Sequence, residues 1–326
     1  MNLKEAHHIH FTGLKGVGMT ALALCAQDLG ATVTGIDTAD AFVTDRVLKR
    51  RKIKVQSGFS PQHLPQDTDL LVYTAAHQGS HNPEVIFAQK LGIPVLSHAQ
   101  ALGEAMVGKI GISVCGVGGK TTSAAMLATI LDHAQAHPSF CIGVSHIFNL
   151  GDPGRYDRQG KHFVAEADEY ITDPAQDQTP RFMYQKPQLI ICTNVEFDHP
   201  DVYRDLNHTK DTFVSFFNRL PDTGLLVINL DSPINRSLIS RLKVPYQTYG
   251  THPQSDWRLD NLQVTDQHLH FSVTHQGIIY PLTLKVPGKL NASNSTAALA
   301  SAVFLGIDSR VAIDSLEQFS GTPRRF

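Results

Sequence analysis

Gly116-Val-Gly-Gly-Lys-Thr-Thr122 stands between an apolar run, Ile110–Cys115, and a stretch rich in Ala, Met and Leu. The run predicts a buried strand and residues 120–131 predict a helix, so the glycines form the turn between them. Glycines allow positive φ, which lets backbone N–H groups surround phosphate oxygens. The helix N-terminus adds unpaired N–H groups and a favourable dipole. This strand, loop and helix predict a nucleoside triphosphate site.

The positions of the loop have separate predicted roles. Lys120 would neutralise charge on the β- and γ-phosphates, and the Thr121 hydroxyl would ligate Mg²⁺. A usual P-loop has another glycine where Val114 stands, so this loop is a shortened version. The alternative is a tight glycine turn that carries a surface lysine. The predicted ATP-binding residues of the loop are Gly116, Gly118, Gly119, Lys120, Thr121 and Thr122.

Short apolar runs alternate with helical patterns on both sides of this loop, which indicates βαβ units. The predicted fold class is therefore α/β, with an N-terminal Rossmann-like parallel sheet and a central P-loop ATPase-type α/β domain. A chain of 326 residues suggests two or three domains. We place them at 1–107 and 108–326. Alternating residues at 257–286 predict an antiparallel hairpin, and 291–305 and 309–319 predict closing helices.

A second glycine loop, Gly13-Leu-Lys-Gly-Val-Gly18, also follows a predicted strand and opens a helix. Its spacing is G-x-x-G-x-G, whereas dinucleotide-binding loops have G-x-G-x-x-G. Asp37 ends the next strand, where ribose-binding carboxylates lie in Rossmann domains. We predict that the diphosphate of a nucleotide binds here. NAD(P) is the competing ligand, and a turn for close helix–sheet packing is the non-binding alternative.

Acidic side chains follow two later predicted strands, in Glu166-Ala-Asp-Glu169 and in Asn194-Val-Glu-Phe-Asp-His199. Sites of α/β proteins form at the carboxyl ends of strands, so these clusters would hold Mg²⁺ beside the phosphate loop. Histidine is a less usual ligand for Mg²⁺. Without the phosphate loop, His199 would be interpreted as a capping or packing residue.

Composition excludes several classes of protein. The net charge of -2 and the lack of a basic run argue against nucleic-acid binding. No apolar run reaches the ~18 residues of a membrane span, and the N-terminus has no signal-peptide core, so we expect a cytoplasmic protein.

The cluster His7, His8 and His10 is expected to be exposed and has no predicted role. Buried thiols in a reducing compartment are expected for Cys25, Cys115, Cys141 and Cys192, which lack metal-type spacing.

In this order the motifs resemble the Mur ligase family, the ATP-dependent amide ligases of peptidoglycan precursor synthesis. The resemblance covers nearly the whole chain. The motifs that carry it are His8-Ile-His-Phe-Thr-Gly13 with Gly18-Met19, the phosphate loop, both acidic clusters, Pro287-Gly-Lys-Leu-Asn291 with Asn294, and Gly321-Thr-Pro-Arg-Arg-Phe326.

The resemblance implies ATP and Mg²⁺ as cofactors, and UDP-N-acetylmuramate with an amino acid or peptide as substrates. It implies that a carboxylate is phosphorylated by ATP and that an amine then displaces phosphate from the acyl phosphate. Lys120, Glu166 and His199 are the implied catalytic residues. By position in the family motifs, the resemblance implies that the UDP-sugar is bound by Gly13, Gly16, Gly18 and Asp37. It implies that adenine is contacted by Asn291 and the ATP phosphates by Lys120, Thr121 and Arg325. The implied ligands of Mg²⁺ are Thr121, Glu166 and His199.

Several positions depart from the family pattern. Val117-Gly118 replaces a pair such as Thr-His, and Leu290 replaces a histidine. Tyr170-Ile replaces Ser-Asp, and with Glu196-Phe-Asp-His199 it is similar to members that recycle a murein tripeptide. Asn82-Pro-Glu-Val85 and the first loop are instead similar to members that add L-alanine to UDP-N-acetylmuramate.

Other functions stay open at this point. Val117-Gly118 and Leu290 favour a divergent, non-catalytic nucleotide-binding protein. An NAD(P)-dependent oxidoreductase would use the first loop, but leaves Lys120-Thr-Thr122 unexplained. The family also has a C-terminal domain that binds the amino acid. Because the sequence ends where that domain would begin, we expect a fragment that binds nucleotides without ligase turnover.

Overall fold

The computed structural model describes residues 2–200 and 202–323. Its first unit is an α/β layer built on a parallel sheet. The strands are β1 His8–Thr12, β2 Thr32–Asp37, β3 Lys54–Ser57, β4 Leu70–Tyr73 and β5 Val95–Ser97, and the helices are α1 Val17–Asp28, α2 Asp45–Arg50, α3 Pro83–Lys90 and α4 His98–Met106. Within this part of the described chain the strand order is β3-β2-β1-β4-β5. The central strands β1 and β4 are buried along their whole length, as expected for strands covered on both faces.

The second unit is larger and mixes parallel and antiparallel strands. The strands are β6 Ile110–Cys115, β7 Ser139–Cys141, β8 Gly154–Arg155, β9 His162–Glu166, β10 Ile171–Asp173, β11 Asp177–Pro180, β12 Leu189–Cys192, β13 Leu225–Asn229, β14 Tyr246–Gly250, β15 Trp257–Thr265, β16 His268–His275 and β17 Ile278–Leu284. The helices are α5 Lys120–His133, α6 Leu206–Phe217, α7 Pro233–Leu238, α8 Lys289–Phe304 and α9 Ser309–Gln318.

The strand order of the large sheet puts the phosphate loop at an interior strand, away from both sheet edges. The order is β17-β16-β15-β14-β13-β12-β6-β9-β7-β8, and β10 pairs only with β11 among the described residues. β6, which leads into the phosphate loop, lies in parallel between β9 and β12. Both acidic motifs follow these two neighbours, so the carboxyl ends of three adjacent strands meet at one edge. This confirms the predicted α/β fold class.

The two units share a hydrophobic core. Helix α1 of the first unit packs against β7 and β8 of the second, and Leu22, Phe163 and Ala165 belong to one buried cluster. At Gly154 in β8, an added Cβ would lie 2.0 Å from the carbonyl oxygen of Ala21, so only glycine allows this approach. The division into 1–107 and 108–326 stays a proposal; residue 107 lies between α4 and β6.

Some details differ from the sequence predictions. The predicted hairpin is a three-stranded antiparallel segment, β15–β17, in which β15 also pairs in parallel with β14. The expected exposure of the histidine cluster is wrong for His8 and His10, which are buried. The Thr34 hydroxyl contacts one nitrogen of each ring, His8 Nε2 at 2.9 Å and His10 Nδ1 at 2.8 Å, so each ring has a polar partner inside the sheet layer.

In the described part of the chain, no helix combines the length and apolar character that crossing a membrane requires.

Candidate active site

The phosphate loop has a backbone that only glycine fits at two positions. Gly116 has φ +119° and Gly119, the N-cap of α5, has φ +83°. A Cβ at Gly116 would lie 2.2 Å from Thr193 Oγ1, and one at Gly119 would lie 2.6 Å from Asn294 Oδ1. Both conformation and space therefore require glycine here. The loop places the N-terminus of α5 at the edge of the sheet, where the helix dipole favours an anion.

Asn194, which follows β12, holds the middle of this loop. The backbone N–H of Gly118 donates to Asn194 Oδ1 at 2.9 Å, and that of Val117 donates to the Asn194 carbonyl at 3.1 Å. The Asn194 side-chain amide donates in turn to Glu196 Oε1 at 2.7 Å. The unusual pair Val117-Gly118 is thus fixed by the neighbouring strand, a role that the sequence predictions did not assign to Asn194.

Lys120 points into an acidic environment. Its Nζ lies 3.0 Å from Glu169 Oε2 and 3.6 Å from Asp168 Oδ1, and 11% of its side chain is exposed. Burial lowers the pKa of the ammonium, but the neighbouring carboxylates Asp168 and Glu169 raise it more, so the net pKa lies above its ordinary value. The lysine is therefore held as a positioned cation that phosphate oxygens would share.

Thr121 and Glu166 are in contact, as the predicted Mg²⁺ site requires. The Thr121 hydroxyl donates to Glu166 Oε2 at 2.9 Å, and the backbone N–H of Gly143 donates to Glu166 Oε1 at 2.6 Å. Glu166 is the last residue of β9, and it is buried. A hydroxyl and a carboxylate oxygen thus lie next to each other beside the first turn of α5.

His199 joins the same group of side chains through Glu169. Its Nε2 lies 3.3 Å from Glu169 Oε1 and 3.6 Å from Asp198 Oδ2, and its ring packs 4.1 Å from that of Tyr170. Glu169 therefore contacts both Lys120 and His199. The predictions included Glu169 in a motif but gave it no role. The sequence shows that Glu169 stands three residues after Glu166, but it does not show the direction in which the Glu169 side chain points.

The first glycine loop is built differently. Gly13 has φ +83°, and a Cβ there would lie 2.3 Å from Thr74 Cγ2. Asp37 is 1% exposed, and its carboxylate accepts the backbone N–H groups of Lys15 at 2.6 Å and Thr38 at 2.7 Å. Asp37 therefore braces the loop from the end of β2. Its predicted contact with a ribose stays a prediction.

Both loops face one cavity of about 280 Å³ between the two units. Gly16 and Gly18 line it from the first loop, and Lys120, Glu166 and His199 line it from the second unit. Gly13 and Asp37 are not among the described residues that line it. The structure thus brings together the predicted catalytic residues and half of the predicted UDP-sugar residues.

A second cavity, of about 490 Å³, lies on the other side of the phosphate loop. Thr121, Thr122 and Asn291 line it, together with the segment Phe319–Pro323. Asn291 also lines a neighbouring cavity of about 830 Å³, along with Gly118 and Asn194, and its amide donates to the Pro287 carbonyl at 2.7 Å. The predicted phosphate contact, Arg325, lies outside the described residues.

Comparisons with known proteins show which family this chain matches. Residues 114–302 match the Mur ligase middle domain, and residues 8–109 match the Mur ligase family catalytic domain. The UDP-N-acetylmuramate–L-alanine ligase of Desulfitobacterium hafniense is 35% identical over 98% of this chain and 68% of its own length. The corresponding ligase of Methylobacillus flagellatus is 33% identical over 99% of this chain and 66% of its own length. The chain thus spans about two thirds of these relatives.

Solved structures show the same fold. The UDP-N-acetylmuramate:L-alanyl-γ-D-glutamyl-meso-diaminopimelate ligase from Neisseria meningitides superposes with a TM-score of 0.86 at 28% identity, covering 98% of this chain and 99% of that one. The UDP-N-acetylmuramate–alanine ligase from Thermotoga maritima has a TM-score of 0.83 at 26% identity, covering 98% of this chain and 70% of that one.

Proposed function

The chain belongs to the Mur ligase family, whose members are ATP-dependent amide ligases, and we propose that it serves the joining of L-alanine to UDP-N-acetylmuramate. One observation carries the proposal: the two glycine loops face the same cavity. Gly16 and Gly18 stand on one wall, and Lys120 and Glu166 stand on the opposite side. A nucleotide-sugar and ATP bound to the two loops would meet there, as direct transfer of a phosphoryl group requires.

The proposed reaction has two steps. The carboxylate of UDP-N-acetylmuramate attacks the γ-phosphorus of ATP, which forms an acyl phosphate and releases ADP. The amine of L-alanine then attacks the acyl carbon, and inorganic phosphate leaves from the tetrahedral intermediate. Lys120 stabilises negative charge on the transferring phosphoryl group, and Glu169 and Asp168 keep its ammonium in place.

The side chains around Thr121 fit Mg²⁺. Magnesium is usually held by one or two carboxylates together with waters and substrate phosphates, and the contacting Thr121 hydroxyl and Glu166 carboxylate supply such oxygens. Among the described residues no three acidic, histidine or cysteine side chains form a ready metal cage, which is consistent with a metal that arrives with the nucleotide. Bound there, Mg²⁺ would neutralise phosphate charge. His199, whose ring contacts Glu169, is proposed to support this group of acids.

The adenine end of ATP is proposed to lie near Asn291. This residue stands at the start of α8, beside cavities that extend from Gly119 and Thr122. Asn294 packs against Gly119, so α8 and the phosphate loop are positioned together. The proposed contact of Arg325 with the phosphates rests on the family pattern alone.

A second candidate is the recycling ligase that attaches a murein tripeptide to UDP-N-acetylmuramate. The Neisseria meningitides structure, which has that name, matches this chain over nearly its whole length. Tyr170, a residue typical of that group, packs against His199 in the cavity. The two candidates share the phosphoryl transfer and differ in the amine.

Two measurements test the proposal. Isothermal titration of this chain should show binding of UDP-N-acetylmuramate and of ATP with Mg²⁺. Phosphate release by the product of the complete gene should need UDP-N-acetylmuramate, ATP and one amine. Release with L-alanine supports the first candidate, and release only with L-alanyl-γ-D-glutamyl-meso-diaminopimelate supports the second. Binding of both nucleotides without release by either amine would instead favour a non-catalytic protein.

A further inference from the structure

The cavity between the two loops carries an excess of acidic side chains. Four carboxylates line it; the Lys120 ammonium already lies within 4 Å of two of them, and the His199 ring also contacts two of them. A substrate carboxylate that enters this space to be phosphorylated would be repelled. Like charges nearby raise the energy of the bound anion, so a further lining cation, in addition to the proposed Mg²⁺, would favour binding of the substrate carboxylate. The four acids are Glu166, Asp168, Glu169 and Asp198.

Arg181 is a lining cation without an acidic partner in the described chain. No carboxylate of residues 2–200 or 202–323 forms an ion pair with its guanidinium, which lies 5.5 Å from the centre of the Tyr170 ring. Its Nε donates to the carbonyl of Ile171 at 3.3 Å, and its backbone N–H donates to the carbonyl of Tyr170 at 2.8 Å. The Nη groups are left available to a ligand, and the side chain is half-buried.

The hairpin β10–β11, which directly precedes Arg181, is fixed to the other unit. Asp173 in β10 is fully buried, and its Oδ2 accepts from the Tyr73 hydroxyl at 3.0 Å and the Ser80 N–H at 2.9 Å. Its Oδ1 would lie 3.0 Å from a Cβ at Gly79. Tyr73 precedes Thr74, which lines the same cavity. The pair β10–β11 therefore holds Arg181 at a set place relative to the first unit.

We propose that Arg181 binds the carboxylate of the UDP-sugar substrate and orients it for phosphorylation. The inference rests on the proposed function. A planar guanidinium can hold a carboxylate through two parallel N–H···O bonds, and pre-positioning by the hairpin lowers the entropy lost on binding. The diphosphate has other donors, since the N-terminus of α1 follows Gly16 in the same cavity.

Isothermal titration of this chain with two ligands tests the assignment. UDP-N-acetylglucosamine shares the nucleotide and the amino sugar with UDP-N-acetylmuramate but lacks its carboxylate. Arg181→Ala should weaken the binding of UDP-N-acetylmuramate by about tenfold to a hundredfold, the usual effect of a lost charged hydrogen bond. It should weaken the binding of UDP-N-acetylglucosamine by less than about twofold. Arg181→Lys keeps the charge but loses the two parallel N–H donors, so its affinity for UDP-N-acetylmuramate should lie between those of the unmodified chain and Arg181→Ala. The matched control is Arg204→Ala, at an exposed arginine, which should leave both affinities unchanged.

The outcomes separate this inference from the proposed function. If the unmodified chain binds neither UDP-N-acetylmuramate nor ATP, the proposed function is wrong. If it binds both and Arg181→Ala leaves UDP-N-acetylmuramate unaffected, or weakens the two UDP-sugars equally, only the carboxylate assignment is overturned. The affinity for ATP shows whether each variant is folded. If Arg181→Ala no longer binds ATP, the affinities of Arg181→Lys for the two UDP-sugars decide whether the carboxylate assignment holds.

Discussion

The two glycine loops follow the same plan, yet they are built for different tasks. Each follows a central parallel strand and opens a helix. Lys15 of the first loop turns away to the carbonyls of Thr38 and Asp40, at 3.1 and 2.8 Å, whereas Lys120 of the second lines the shared cavity. The acid that serves the first loop, Asp37, binds backbone N–H groups. The acids near the second loop, Glu166 and Glu169, also contact side chains that would meet phosphate, those of Thr121 and Lys120.

A glycine-rich sequence motif does not by itself show what each of its glycines does. In the phosphate loop, Gly116 and Gly119 are required by positive φ and by the lack of space. In the first loop only Gly13 has positive φ, while Gly16 has φ -56° and nothing closer than 3.6 Å to an added Cβ. A need for glycine at 16 would therefore come from the close approach of a ligand.

The largest expected effect concerns Lys120, the lysine of the phosphate loop. Lys120→Ala should lower the rate of ATP-dependent phosphate release by about a hundredfold to a thousandfold, because it removes the cation at the transferring phosphoryl group. Steady-state kinetics of the complete gene product measure this. Lys54→Ala, at an exposed lysine of β3, is the control and should be unchanged. Retained activity in the Lys120 variant would mean that the phosphate-loop assignment is wrong.

The next prediction compares glycines. Gly116→Ala should lower the free energy of unfolding by about 2 kcal/mol or more, since alanine is strained at positive φ and its Cβ would overlap Thr193. Gly16→Ala should change it by less than about 0.5 kcal/mol. Urea unfolding followed by circular dichroism gives both values. Equal losses in the two variants would contradict the distinction between the loops.

Asp37 tests whether the first loop is braced by a carboxylate. Asp37→Asn keeps one acceptor oxygen for two N–H donors, so it should cost about 1–3 kcal/mol of stability. Urea unfolding at pH 7 checks this, with Asp40→Asn, at an exposed side chain, as the control. A stable Asp37→Asn variant that binds UDP-sugar weakly would shift the role of Asp37 from bracing to ligand contact.

The smallest expected effect is an absence of pH dependence. Asp168 and Glu169 raise the pKa of Lys120 above its ordinary value against the opposing effect of burial. Because the folded pKa is raised, the charge and its stabilising contribution are fully present below the unfolded pKa of about 10.4. They are lost only as pH rises through the folded value. The ratio of ATP dissociation constants for wild type and Lys120→Met should therefore stay constant from about pH 7 to 9.5.

Local sequence patterns predicted the elements that carry strong apolar signals. The strand Ile110–Cys115, the loop and the helix after it are as expected, because a continuous apolar run and a glycine turn are local properties. The pair β10–β11 was not predicted, since residues such as those in Asp177–Pro180 have no apolar alternation. The buried His10 was missed because its partners, Thr34 and Glu84, are distant in the chain.

The sequence predicted most residues of the candidate site, but it did not predict the contacts between their side chains. Lys120, Thr121, Glu166 and His199 do line or adjoin the shared cavity. The sequence could not show that Glu169 would contact both Lys120 and His199, because that depends on side-chain directions from three different strand ends. For the same reason, the sequence did not indicate that Arg181, which follows the hairpin β10–β11, lies on the cavity wall.

Helix α1 has a thermodynamic consequence beyond its place in the first unit. Its apolar residues lie in one cluster with Phe163 and Ala165, and Gly154 brings the backbone of β8 against it. Each sheet thus supplies part of the apolar contacts that keep the other folded, and we expect unfolding to be cooperative across both. Separating the chain at residue 107 would expose this apolar face to water. Calorimetry should accordingly record a single heat-absorption peak, in which the two nucleotide loops are lost together.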